Sequence, residues 1–114
     1  MQINQSRVEL DVAVVSVEGR LTLGRETQAL EALVADLIAK GERKIVLDLK
    51  LLEYLDSAGL GVILASASKA KQAGGAVRLA GVGGRVLQVL KLTRTDAVLS
   101  LDADVATAAS QFSK

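Results

Sequence analysis

The 114-residue chain contains no cysteine, histidine, proline or tryptophan, and only one tyrosine and one phenylalanine. Without cysteine there is no disulfide and no thiol nucleophile. Without histidine there is no imidazole base and no zinc site of the usual nitrogen and sulfur type. Few enzymes work without these groups, so no catalytic residue, metal or cofactor is expected. Two aromatic rings cannot build a base-stacking platform. Fourteen basic and thirteen acidic residues leave a net charge of +1, with no segment that concentrates lysine or arginine, so nucleic acid is not an expected partner. The longest unbroken run of apolar or glycine residues, 58–65, is far shorter than the ~20 residues that span a bilayer, and the opening MQINQSRVEL lacks the apolar stretch of a signal peptide. A cytoplasmic protein without membrane insertion is expected.

What is abundant is aliphatic. Half the residues are hydrophobic, so Leu, Val, Ile and Ala must build the core of one domain, residues 1–114. Residues 8–17 suit a strand pair or one bent strand ended by Gly19. Leu30, Leu33, Val34, Leu37 and Ile38 recur at spacings of three and four, which predicts a helix stopped by Gly41. KIVLDL at 44–49 reads as a strand buried on both faces. Leu60, Ile63, Leu64, Ala67 and Ala70 mark a second helix that ends at Gly74 and Gly75, and residues 77–80 read as the next strand. The strand, helix, strand order makes those two strands parallel through a right-handed crossover. A third helix carries Val86, Leu87, Val89 and Leu90. A short strand at 98–101 follows, and Asp102 is expected to cap a last helix through Val105, Ala109 and Phe112. The fold class is therefore α/β: a mixed sheet of four to five strands with about four helices packed against it.

The most informative stretch is YLDSAGLGVIL, residues 54–64. Asp56 and Ser57 stand where a strand gives way to a helix, at the carboxyl ends of the strands, where reactive groups gather in such sheets. Either can cap the helix by accepting hydrogen bonds from its free N–H groups. Asparagine caps about as well as aspartate, so Asp56→Asn is expected to keep the stability of a cap. Gly59 is poor chemistry inside a first turn. Together with Ala58 and Gly61 it would leave the helix start open to another protein's backbone or active site. A hydrolytic Ser57 would need a base within reach, and the nearest following lysines, Lys69 and Lys71, lie three turns along the same helix. The GVGGRV stretch, residues 81–86, places Gly81 and Gly83 at the first two positions of a dinucleotide fingerprint but Val86 at the third, and reads as a tight turn. Arg85, beside a helix N-terminus, could contact an anion.

The segment IVLDLKLLEYLDSAGLGVILASASKAKQAGGAVRLAG resembles the STAS domain, and specifically the free-standing anti-sigma-factor antagonists of bacteria, over roughly residues 14–112. Its most specific piece is Leu55, Asp56, Ser57, Ala58, Gly59, Leu60 and Gly61. The resemblance implies a regulator that binds an anti-sigma factor which is also a serine kinase of the histidine-kinase-like ATPase superfamily, with release on phosphorylation of Ser57. A serine phosphatase would reverse the modification. The docking face implied comprises Arg20, Thr22, Asp56, Ser57, Ala58, Gly59 and Leu60. Where the family commonly has a second hydroxyl, this chain has Ala58, which leaves Ser57 as acceptor. Where the family often reads Gly-Glu-Leu-Asp, this chain has Gly19, Arg20, Leu21 and Thr22, which implies a kinase other than the sporulation or stress type. The alternative implied is a STAS regulatory subunit of a stress-signalling assembly, a secretion switch or a lipid-transport complex.

Overall fold

A computed structural model describes residues 2–9 and 11–113 of the chain. Strand β1 (Gln2–Glu9) runs antiparallel to β2 (Val12–Leu21), which pairs in parallel with β3 (Lys44–Asp48) and, further along, with β4 (Leu52–Leu55). Strands β5 (Ala76–Ala80) and β6 (Ser100–Asp102) continue the parallel part. The order is β1-β2-β3-β5-β6, with β4 attached to β2. The helices are α1 (Arg25–Ala39), α2 (Ser57–Gln72), α3 (Gly84–Leu92) and α4 (Val105–Gln111).

The mixed sheet has six strands, against the four to five expected. The added strand is β4: its four residues, with only Leu52 and Leu55 buried, are too few for alternation to show in sequence. The strand pair expected over residues 8–17 is present but displaced, because β1 begins at Gln2; residue 10, at the junction, lies outside the described residues. Being a polar edge strand, β1 shows no apolar alternation before residue 8 from which to read it. Gly19 does not end β2. Its φ of +85° puts it in the left-handed region that glycine tolerates, and the pairing register shifts between Gly19 and Arg20. That irregularity moves β2 from its partner β3 to its partner β4, and the strand runs on to Leu21.

Successive residues of β2 face opposite sides of the sheet, and both sides are buried. Ala13, Val15 and Val17 join Leu30 and Val34 of α1, Ile63 of α2 and Leu90 of α3 in the larger core. Val12 and Val14 join Val46, Ala80 and the alanines Ala108 and Ala109 of α4 in the smaller one. Each fully buried aliphatic side chain contributes about 1.5–3 kcal/mol through removal from water. Residues 81–83 form the turn from β5 to α3, as read from sequence. Among the described residues no helix is long and apolar enough to cross a membrane.

Asp102 does not cap the last helix. That place is taken by Asp104, whose carboxylate accepts the Thr107 N–H at 2.7 Å. Asp102 instead accepts two hydrogen bonds from Arg78, Nε at 2.6 Å and an Nη at 3.2 Å, and is only 6% exposed in that pair. A mostly buried carboxylate needs the arginine fork, whereas a surface cap does not. Asp102→Ala should therefore lower unfolding stability by roughly 2–4 kcal/mol, through the stranded Arg78 charge. Asp104→Ala should cost clearly less. Denaturant unfolding of the two variants checks the order.

Candidate functional site

The carboxyl ends of β2 and β4 meet the N-terminus of α2. Asp56, with extended backbone (φ −100°, ψ −172°), is the helix N-cap. Its Oδ1 accepts the Gly59 N–H at 2.8 Å, and its Oδ2 accepts the Leu23 N–H at 2.9 Å. The Asp56 N–H donates to the Leu21 carbonyl at 3.3 Å, and the Asp56 carbonyl accepts the Leu60 N–H at 2.9 Å, the first bond of the helix. One residue thus joins the loop after β2 to the first turn of α2. The Leu23 N–H, then the Gly59 N–H, hold the Asp56 carboxyl below the usual carboxylate range; partial desolvation opposes them.

With Asp56 as cap, Ser57 is released from that duty. It is the first residue of α2, it is exposed, and its hydroxyl makes no hydrogen bond with the described residues. Ala58 beside it is half-buried. Of the other residues expected on the docking face, Arg20 is exposed and Thr22 half-buried, both near the end of β2. Gly59 and Leu60 turn inward. Leu60 is 8% exposed and belongs to the larger core. Gly59 is buried, and a Cβ there would lie 2.3 Å from the Leu21 carbonyl oxygen and 3.1 Å from the Leu55 Cβ. The missing side chain serves the close approach of α2 to the end of β2, and does not open the helix start to a partner. Gly61, whose Cβ would meet nothing within 4 Å, does leave open surface.

Two residues not singled out in the sequence complete the rim. Leu23 is 80% exposed, an apolar side chain in a loop between Thr22 and Gly24. Tyr54 lies under Arg20, whose guanidinium carbon is 4.5 Å from the ring centroid. The signals available in sequence were a leucine in a glycine-bounded loop and one of only two aromatic residues.

Two substitutions test this geometry. Asparagine offers one acceptor oxygen where two backbone N–H groups require two, so Asp56→Asn should lower the melting temperature by several degrees, contrary to the expectation for a simple cap. Because the folded-state carboxyl titrates below its unfolded value, its stabilisation is complete above that value and is lost as pH falls through the folded one. The deficit of Asp56→Asn against wild type should therefore be full at neutral pH and shrink below about pH 4. At the glycines, Gly59→Ala should cost about 1–3 kcal/mol by overpacking, whereas Gly61→Ala should stabilise by up to about 1 kcal/mol through helix propensity. Thermal unfolding across pH, and denaturant unfolding of the glycine variants, check both.

The fold recurs in known proteins. A candidate anti-sigma factor antagonist from Bordetella bronchiseptica, BtrV, is 39% identical over 66 residues, which are 58% of this chain and 57% of that protein. The solved structure of a candidate anti-sigma factor antagonist from Thermotoga maritima superposes with a TM-score of 0.89 at 25% identity, covering 98% of this chain and 95% of that one. The anti-sigma factor antagonist SpoIIAA shares the fold at 16% identity in both its unphosphorylated form (TM-score 0.74, 96% of each chain) and its phosphorylated form (TM-score 0.76, 99% of this chain and 100% of that one). The STAS domain model matches residues 5–108, nearly the whole of the sheet and all of α1 to α3, and the chain belongs to the STAS domain family.

Proposed function

We propose that the chain is an anti-sigma factor antagonist that works by partner switching. Unmodified, it binds an anti-sigma factor that is also a serine kinase; phosphorylation of Ser57 by that kinase releases it, and a serine phosphatase restores it. The chain itself catalyses nothing in this scheme. One observation carries the reading: Ser57 presents an exposed hydroxyl with no hydrogen bond among the described residues, at the first position of a sixteen-residue helix, because Asp56 does the capping. The likeness to relatives that bear the anti-sigma factor antagonist description, one of them solved in phosphorylated form, supports it.

The physics of the switch follows from the site. A phosphoryl group on Ser57 adds about −1.5 to −2 charges at neutral pH. In the free protein it would face the N–H groups and the positive end of the α2 dipole, a favourable place for an anion. In a closed complex the same group sits beside the Asp56 carboxylate with water excluded. At ~6 Å and an effective dielectric near 20, one such charge pair is repulsive enough to weaken affinity about a hundredfold. Phosphorylation therefore leaves the fold intact and disfavours the complex.

The test is to incubate the chain with ATP and the candidate kinases of its organism, then locate phosphate by mass spectrometry. Incorporation at Ser57 is expected, with none in Ser57→Ala. Since Ser57 is not the cap, Ser57→Ala should stay within about 0.5 kcal/mol of wild type, as for an ordinary surface substitution, and should remain bound to the kinase in the presence of ATP. Phosphate found at Thr22, or equal affinity of the modified and unmodified chains, would refute the switch.

A further inference from the structure

The end of β2 carries a feature that the switch does not use. Arg20 and Tyr54 are paired across β2 and β4, and the guanidinium lies over the ring. An aromatic face attracts a guanidinium through its flat side and leaves the N–H edge available to outside acceptors. Among the described residues Arg20 forms no ion pair, which is equally true of Arg25 and Lys50; what sets Arg20 apart is the ring beneath it. Residues 19–25, GRLTLGR, hold two arginines and no acid. The neighbouring carboxylate of Asp56 is occupied by backbone N–H groups. Three residues along the chain, Leu23 displays its side chain on a backbone tied down by an Asp56 bond.

We infer that this rim recognises an acidic protein surface: the partner places a carboxylate on the Arg20 fork and an apolar side chain against Leu23. The inference rests on the partner-binding reading above and adds the chemistry of the partner's face. A protein carboxylate is favoured over a nucleic-acid phosphate because the Tyr54 ring is covered by Arg20 and so is not free to stack a base, and because the chain as a whole is nearly neutral.

The experiment measures binding of the purified full chain to the same panel of kinases at 50 and 300 mM salt, for wild type, Arg20→Glu, Arg20→Lys, Leu23→Ser and Ser57→Glu, with melting temperatures alongside. Arg20→Glu should weaken binding more than tenfold at 50 mM salt and by less at 300 mM. Arg20→Lys should fall between, since it keeps the charge and loses the fork. Leu23→Ser should weaken binding severalfold with wild-type salt dependence. All melt within a few degrees of wild type, because all three side chains are exposed. Arg20→Glu binding as tightly as wild type at low salt would overturn the inference, as would binding of a labelled single-stranded oligonucleotide that Arg20→Glu abolishes. If Ser57→Glu abolishes binding and Arg20→Glu does not, the acidic-partner inference fails and the switch stands. If Arg20→Glu abolishes binding and Ser57→Glu does not, the switch fails and the inference stands. If no kinase of the panel binds the wild-type chain, both fail.

Discussion

Asp56 accepts one hydrogen bond from a residue three positions ahead of it and another from a residue thirty-three positions behind it. The first starts a helix; the second fixes where that helix stands. The loop between β2 and α1 is tied to α1 at Gly24, but the Leu23 N–H is one of the backbone donors that must still find an acceptor. Asp56 supplies it, while the Leu21 carbonyl takes the Asp56 N–H in return. That reciprocal pair brings α2 so near the end of β2 that only glycine fits at position 59. The positions of Ser57, Leu23 and Arg20 relative to one another all follow from this one carboxylate and the small residue that lets it close.

Under the proposed switch, this arrangement separates folding from signalling at adjacent residues. Had Ser57 been the cap, its modification would have removed an acceptor from the helix start and altered the fold together with the surface. With the cap at Asp56, the serine hydroxyl has no structural bond to lose. A regulatory charge at Ser57 then acts on whatever meets the surface. The cost falls on Asp56, which must keep two bonds, and this is why an isosteric amide is not an equivalent replacement there.

Elements with a strong apolar period were legible in the sequence. Leu30, Val34 and Leu37 announced α1, and Leu60, Ile63 and Ala70 announced α2; these residues are buried at the spacings read. So was the place of Asp56 and Ser57 at the start of α2, because an acid and a hydroxyl before an apolar helix have a local meaning. Strand β4 was not legible, since four residues cannot display a period, nor was β1, whose edge position lets it be polar. The cap was assigned to Asp102 for the same reason that the second Asp56 bond was missed. A cap depends on neighbours three residues away, but the pairing of Asp102 with Arg78, and of Asp56 with Leu23, crosses 24 and 33 residues, and only the fold brings those groups together.

The two ends of the sheet treat their charges differently. At the start of β2 and β3, Lys44 pairs with Asp11, and Arg7 with Glu42; Lys44 and Arg7 hold these carboxyls below their usual range. Exposed pairs of this kind add little stability, but they cancel the charges that a neighbouring protein would otherwise feel. At the other end Arg20 rests on an aromatic ring, which restrains the side chain without neutralising it. A paired cation has already satisfied its donors, whereas a stacked one is held in place with its donors still to be met. Among the described residues, one end of the sheet thus carries two ion pairs between elements, and the other carries a stacked guanidinium without an ion pair, an exposed leucine and a serine hydroxyl without a hydrogen bond.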